Sequence, residues 1–331
     1  MGNFDIGLIG LAVMGQNLVL NMSDHGYKVA VYNRTGARTE EFLNGEAKGR
    51  EIEGAYTLED FVALLKKPRL VMILVKAGSP VDQVIEQLLP LIDEGDVLID
   101  AGNSYFRDTI RRYQSLKEKG ILYIGTGVSG GELGARFGPS ITPGGSEAAW
   151  PLVKSIFQGI SAKVDGDVPC CEWMGSDGSG HYVKMVHNGI EYGFLQLIAE
   201  SYHIMRDMLK LNYDDLSAAF RRWAKGKLSS YLIEVARDTL GFKDSDGQPM
   251  VSQILDAAGQ KGTGRWTSES ALELGIPLTL VTEAVFARLL SSFKEERVAA
   301  AEAIPGPDFE FSGDKNQLVD DLENALYLSE I

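Results

Sequence analysis

Short apolar runs alternate with longer stretches of helical period through the first half of the chain, and in the second half the short runs stop. Residues 4–9, 27–32, 70–75, 96–100 and 121–124 are apolar runs of strand length, each followed by a polar or Gly-bearing turn and then by a helical pattern. Near-continuous apolar strands alternating with helices are the mark of a parallel sheet covered on both faces. Thr57-Leu58-Glu59-Asp60 marks one helix start. Further helices are expected over about residues 80–92, in a stretch ending at Gly120, and over 147–160, and the last strand-like piece is Ala162-Lys163-Val164. Residues 169–180 break the rhythm and form the expected domain boundary. Beyond them helices alone are expected, at about 180–210, 213–224, 229–240, 251–258, 266–274, 279–304 and 316–331. The pattern predicts an α/β domain over residues 1–177 and an all-α domain over 178–331, with no internal repeat.

The turns that follow the strands carry the candidate chemistry, because ligands of an open parallel sheet sit beyond the carboxyl ends of its strands. The first turn is Gly10-Leu11-Ala12-Val13-Met14-Gly15, a Gly-x-Ala-x-x-Gly sequence between a strand and a helix, as a Rossmann-like dinucleotide fold requires. Gly10 makes the tight turn, Ala12 lets the backbone approach a pyrophosphate, and Gly15 allows close helix packing. An ordinary tight turn is the competing reading. The second strand ends in Asn33-Arg34-Thr35, where a chain that binds NAD would carry Asp or Glu. Arg34 can hold a 2′-phosphate bidentately while Thr35 caps the next helix, which favours NADP; otherwise Arg34 merely decorates a helix start. Later strands deliver Val75-Lys76-Ala77-Gly78, Ala101-Gly102-Asn103-Ser104 and Gly127-Val128-Ser129-Gly130-Gly131-Glu132. Asn103 can bind a hydroxyl or the nicotinamide amide, and Ser129-Gly130-Gly131 offers a hydroxyl and backbone N–H groups to a carboxylate. Turn glycines account for such loops about as well.

The helical half opens on Gly180-His181-Tyr182-Val183-Lys184-Met185-Val186-His187-Asn188-Gly189-Ile190-Glu191-Tyr192. Helical spacing puts Lys184, His187, Asn188 and Glu191 on one face, with Lys184 and Glu191 about 10.5 Å apart along the axis. That face offers a base, an acid and two hydrogen-bonding side chains, and it also matches an ordinary solvated surface. Farther on, Gly259-Gln260-Lys261-Gly262-Thr263-Gly264 is a glycine-punctuated loop whose Lys and Thr suit a phosphate or polyol, although its spacing is not that of a nucleotide P-loop. Arg288 lies in an otherwise apolar helical stretch and needs an anionic partner, either an acid side chain or a ligand phosphate.

Composition narrows the partners. The 331 residues are 44% hydrophobic and 24% charged, as in water-soluble globular chains. No apolar run reaches the roughly 18 residues that span a bilayer, and no basic leader precedes the first strand, so neither membrane insertion nor secretion is expected. A net charge of -14 argues against nucleic acid and anionic membranes as partners, so any anionic ligand must be held by local cations and N–H groups. Cys170 and Cys171 are adjacent, which gives neither a metal-ligand spacing nor a disulfide framework. A reducing, cytoplasmic compartment is expected.

Taken together, these motifs resemble those of the long-chain, decarboxylating 6-phosphogluconate dehydrogenase family, over essentially the whole chain. The resemblance rests on Gly10 to Gly15, Asn33-Arg34-Thr35, Leu74-Val75-Lys76-Ala77-Gly78, Gly102-Asn103-Ser104, Val128-Ser129-Gly130-Gly131, Lys184 to Tyr192 and Gly259 to Gly264. The broader β-hydroxyacid dehydrogenases share the nucleotide turn, the Ser-Gly-Gly loop and a Lys-x-x-x-Asn helix, but not the Gly-Gln-Lys-Gly-Thr-Gly loop. What the resemblance implies is metal-free oxidative decarboxylation of 6-phospho-D-gluconate by NADP⁺ to ribulose 5-phosphate and CO₂, in the pentose phosphate pathway and gluconate utilization. It implies Lys184 as general base on the C3 hydroxyl and Glu191 as the acid that protonates the enediol. By the same match Gly10, Ala12, Val13, Met14, Gly15, Asn33, Arg34, Thr35, Val75, Lys76, Ala77 and Asn103 hold the cofactor. Asn103, Ser129, Gly130, Gly131, His187, Asn188 and Tyr192 hold carboxylate and hydroxyls, with Lys261, Thr263 and Arg288 on the sugar or its phosphate. A lysine acts as base at neutral pH only where burial or neighbouring cations lower its pKa, and a glutamate as acid only where its pKa is raised.

Two local departures from the family pattern are Ala101, where Gly is usual, and Ile141-Thr142-Pro143, where Leu-Met-Pro is usual. The family also continues well past a position like Ile331, with a tail that brings an Arg and a His to the phosphate site of a partner subunit. The expectation is a homodimer weakened by the lack of that region, with reduced substrate affinity. Two rival readings are another β-hydroxyacid dehydrogenase with a small unphosphorylated substrate, and a nucleotide-binding fragment with impaired catalysis.

Overall fold

A computed structural model describes residues 2–306 and 310–331. By backbone proximity the chain divides into two compact units, Met1–His187 and Asn188–Ile331.

The first unit is organised on one seven-stranded sheet. Its strands are β1 (Ile6–Ile9), β2 (Val29–Tyr32), β3 (Ile52–Ala55), β4 (Leu70–Ile73), β5 (Val97–Asp100), β6 (Leu122–Ser129) and β7 (Ser140–Gly145), in the order β3-β2-β1-β4-β5-β6-β7. The first six are parallel and β7 runs antiparallel to β6, which is the doubly wound order of a dinucleotide fold plus one reversed edge strand. The helices of this unit are α1 (Val13–Asp24), α2 (Gly36–Asn44), α3 (Leu58–Leu64), α4 (Ser79–Leu88), α5 (Phe106–Lys117), α6 (Gly131–Phe137) and α7 (Trp150–Ile160). Every residue of β1, β4 and β5 is buried, because a strand covered on both faces has no solvent side to make polar. Two apolar clusters account for the cover, one around Leu18, Met22 and Phe157 and the other around Phe61, Ile85 and Leu116. Each such fully buried side chain contributes about 1.5–3 kcal/mol relative to exposure. Thr57 caps α3 by accepting from Asp60 N at 3.1 Å, as its spacing predicts.

Several elements differ from the expectation. The run at 121–124 continues to Ser129, and Gly131–Phe137 is helical. β7 escaped notice because its sequence, Ser-Ile-Thr-Pro-Gly-Gly, has the composition of a turn; as an edge strand it tolerates a proline. β3 escaped because it is half exposed and carries Glu53 and Gly54. The piece at 162–164 forms a two-stranded hairpin, β8 (Lys163–Val164) with β9 (Val168–Pro169).

Helix α8 (Ser179–His203) carries the boundary between the units and runs into a π turn at Ile204–Met208. The second unit continues with α9 (Tyr213–Trp223), α10 (Tyr231–Gly241), α11 (Thr263–Leu274), α12 (Thr279–Ser292), α13 (Lys294–Ala303) and α14 (Lys315–Glu330). Its main core gathers Phe220, Trp223, Leu228, Ile233 and Leu326. The helix expected at 251–258 is only a short 3-10 turn, Met250–Gln253. Ile254 and Leu255 are exposed there, and Asp244 gathers Gln248 N, Asp246 N and the Gln253 amide. The single helix expected at 279–304 breaks at Phe293, where Ser291 and Ser292 turn their hydroxyls back onto Arg288 O and Leu289 O. Among the described residues no helix is long and apolar enough to cross a membrane.

Candidate active site

Backbone packed on backbone makes the nucleotide turn. Gly10, at φ +111°, donates its N–H to Tyr32 O at 3.0 Å, and a Cβ there would lie 2.3 Å from Leu74 O. A Cβ on Gly15, in the first turn of α1, would lie 2.0 Å from Gly10 O. Neither position accepts a side chain, so the chain passes from β1 into α1 as closely as its own atoms allow. Asn33 braces the turn from β2: its Oδ1 accepts from Leu11 N at 3.1 Å and its Nδ2 donates to Thr35 O at 3.1 Å. No side chain caps α1, which leaves first-turn N–H groups for an anion.

A cavity of about 470 Å³ opens at this turn. Of the expected cofactor residues, Gly10, Ala12, Val13, Met14, Asn33, Val75, Lys76 and Asn103 line it. Gly15 lies behind the turn, and Arg34, Thr35 and Ala77 are not among the lining residues. Thr35 occupies the N-cap of α2, but its side chain makes no capping hydrogen bond. Arg38 lines the cavity from α2 and was missed. The signal for it was present, since residues three apart share a side of a helix and Arg38 stands three after Thr35. A cradle of bare backbone with Arg38 and Lys76 at its edge fits a phosphorylated dinucleotide.

Strand β6 and helix α8 position the buried amine. A Cβ on Gly125 would lie 2.7 Å from His181 Nδ1, and one on Gly127 would lie 2.4 Å from Lys184 Cβ. These two glycines, alternate residues on one face of β6, leave a trough in which the first turns of α8 rest. Lys184 is 7% exposed, and its Nζ donates to Ser129 Oγ at 2.6 Å. The base expected from the helix and the hydroxyl expected from the loop therefore meet, at the carboxyl end of β6. His181 is buried one turn earlier, with Nδ1 2.7 Å from Thr109 Oγ1. Burial holds its imidazole below the usual histidine range, outweighing the nearby Asp100 carboxylate. Gly130 caps α6 and Gly131 begins it, both exposed, and His187 is exposed on α8.

In the second unit Asn188 and Glu191 are half-buried and Tyr192 is buried. Arg288, half-buried on α12, sets its guanidinium 3.7 Å from the centroid of the Tyr192 ring and donates to Gly259 O at 3.1 Å. Of the two partners expected, an acid side chain or a ligand phosphate, neither is among these contacts, which are an aromatic face and a carbonyl. Gly259 begins the glycine-punctuated loop, so Arg288 ties that loop to Tyr192. Lys261 is exposed on the loop, and Thr263 is buried as the first residue of α11. No group of three or more His, Cys, Asp or Glu among the described residues is placed to hold a metal ion.

Comparison with known proteins gives a consistent result. Residues 5–175 match the family profile described as the NAD binding domain of 6-phosphogluconate dehydrogenase, and residues 180–331 match its C-terminal domain. The chain is 59% identical over 327 residues to "6-phosphogluconate dehydrogenase, decarboxylating" of Schizosaccharomyces pombe, covering 99% of this chain and 66% of that one. It is 56% identical over 332 residues to the Homo sapiens protein of the same name, covering 100% of this chain and 69% of that one. It spans about two thirds of the length of these curated relatives. A solved structure of the Plasmodium falciparum 6-phosphogluconate dehydrogenase, studied alone, with its cofactor NADP⁺ and with its substrate 6-phosphogluconate, superposes with a TM-score of 0.93. That likeness comes at 47% identity and covers 98% of this chain and 70% of the other.

Proposed function

The chain belongs to the 6-phosphogluconate dehydrogenase family, and on that premise we propose that it oxidatively decarboxylates 6-phospho-D-gluconate to ribulose 5-phosphate and CO₂ with reduction of NADP⁺, in the cytoplasm. The observation that carries the reading is the buried Lys184 amine, held 2.6 Å from Ser129 Oγ in the same unit as the nucleotide cavity. NADP⁺, when bound, supplies the hydride acceptor. Gly10, Ala12, Val13, Met14, Gly15, Asn33, Val75, Lys76, Ala77 and Asn103 hold it, with Arg34, Thr35 and Arg38 on the 2′-phosphate side.

Lys184 in its neutral form donates one N–H to Ser129 and turns its lone pair to the C3 hydroxyl, from which it takes the proton as C3 becomes a ketone. The carboxylate, now β to that ketone, leaves as CO₂, its electron pair moves through the new C=C bond onto the ketone oxygen, and the Lys184 ammonium returns its proton to that oxygen to give the enediol. Glu191 delivers a proton to C1 of the five-carbon enediol and completes the product. Asn103, Ser129, Gly130, Gly131, His187, Asn188 and Tyr192 orient the carboxylate and hydroxyls, while Lys261, Thr263 and Arg288 hold the sugar or its phosphate. Residues 1–177 form the nucleotide domain of this reading and 178–331 the helical one, and the working assembly is a homodimer, which sedimentation would test.

The test is to mix the protein with NADP⁺ and 6-phosphogluconate and to follow NADPH absorbance together with released CO₂. Equal amounts of both are expected. Oxidation of a small unphosphorylated β-hydroxyacid in preference to 6-phosphogluconate would sink the reading.

A further inference from the structure

Beneath the loops that line the nucleotide cavity lies a buried ionic cluster that the chemistry above does not use. Asp100, the last residue of β5, is fully buried. Its Oδ2 accepts from Ser104 Oγ at 2.6 Å, Tyr123 OH at 3.2 Å and Arg112 Nη1 at 3.3 Å, and its Oδ1 accepts from Gly102 N at 3.1 Å. Arg112, on α5, is 3% exposed. Its Nε and Nη2 grip the two oxygens of Asp82 at 2.8 and 3.1 Å, Nη2 donates to Gly78 O at 3.0 Å, and Nη1 reaches Ser104 Oγ at 3.4 Å.

One guanidinium therefore touches both loops at once. Gly78 closes the loop after β4, which supplies Val75 and Lys76 to the cavity; Ser104 lies in the loop after β5, which supplies Gly102 and Asn103. A buried ion pair is a weak way to stabilise a core, since well-packed apolar residues often do as well. What a planar five-donor fork gives in addition is fixed geometry between the groups it joins. Burial opposes the Arg112 charge, but Asp82 and Asp100 outweigh it and hold the guanidinium above the usual arginine range. Arg112 in turn holds the Asp82 carboxyl below the usual carboxylate range.

We propose that Arg112 is a positioning residue for the dinucleotide, locking the loop after β4 to the loop after β5 and so setting where Val75, Lys76 and Asn103 stand. This rests on the reading that the cavity takes NADP⁺. Arg112 itself does not line the cavity, so its effect passes through the two loops.

The test is calorimetric titration of NADP⁺ into the full chain, well below its unfolding temperature, for wild type, Arg112→Lys and Asp82→Asn, with a melting curve for each. Arg112→Lys keeps the charge and loses the fork, and should raise the NADP⁺ Kd about tenfold. Asp82→Asn keeps the shape and weakens one edge, and should raise it about threefold. A purely structural role would lower the melting temperature while leaving the Kd of the folded protein unchanged, and that result overturns the proposal. Should Arg112→Lys fail to fold, Asp82→Asn decides alone, and an unchanged Kd there overturns it. Failure of the wild-type chain to bind NADP⁺ would remove the reading of the cavity and the proposal together, whereas wild-type binding with unaffected variants removes only the proposal.

Discussion

The two units hold their candidate residues in opposite ways. In the first, the nucleotide turn is set by main chain, closing with a carbonyl 2.0 Å from where a Gly15 Cβ would be, and strand ends fix Asn33 and Ser129. In the second, position is set by side chains: Arg288 is stacked on Tyr192, Lys261 stands exposed, and a Cβ on Gly259 would meet nothing within 4 Å. A site made of main chain is rigid before its ligand arrives and intolerant of substitution. A site made of long side chains is adaptable, and it tolerates change around it better than change in it.

The sharpest way to use this contrast is to remove chemistry without disturbing either construction. Lys184→Met keeps the buried stem and deletes the amine, and should lower kcat by about a thousandfold while NADP⁺ still binds by calorimetry. Turnover retained in that variant would show that the base lies elsewhere. Next comes the glycine pair. Gly15→Ala should cost about 3 kcal/mol or more in denaturant unfolding, since a carbonyl must move, whereas Gly259→Ala should stay within about 0.5 kcal/mol. Equal costs at the two glycines would break the comparison.

Arg288→Leu tests the side-chain half. It should raise the Michaelis constant for 6-phosphogluconate by about thirtyfold, or ~2 kcal/mol, and leave the NADP⁺ Kd unchanged. The smallest effect concerns His181. Because burial depresses its folded pKa, both states are neutral above the ordinary value of 6.5, and below it only the unfolded chain takes up the proton. Stability should therefore fall as pH drops from 6.5 toward the depressed value, by on the order of 1 kcal/mol per pH unit. Urea midpoints at pH 7.5 and 5.5 would measure this, and His181→Gln should flatten the difference. An equally steep loss in that variant would assign the acid sensitivity to another group.

What could be read from the sequence follows the same division. The nucleotide turn, the buried strands and the Thr57 cap were legible because each is a local rule: a tight turn needs Gly, a doubly covered strand is wholly apolar, and a cap needs a hydroxyl. β7 was hidden because its pairing with β6 is a long-range event that overrides a Pro-Gly-Gly composition. Arg38 was hidden by the neighbouring Arg34, whose position next to the strand end made it the more obvious choice. Arg112 was hidden more deeply. In sequence it is one of two adjacent arginines on a polar helix, and only the fold shows that Arg111 is exposed while Arg112 is buried between two carboxylates. In the second unit the local signal misled at 251–258 and at Phe293, where side chains bonding back to the main chain compete with helix.

The trough that Gly125 and Gly127 leave in β6 makes the sheet a ruler for the lysine. The amine's reach is gauged from the strand its stem rests on as much as from the helix that bears it. For anyone redesigning this scaffold, those two missing side chains are the scale marks. A methyl group at residue 127 would offer a way to displace the amine while leaving the nucleotide turn as built, which separates binding from turnover by sterics alone.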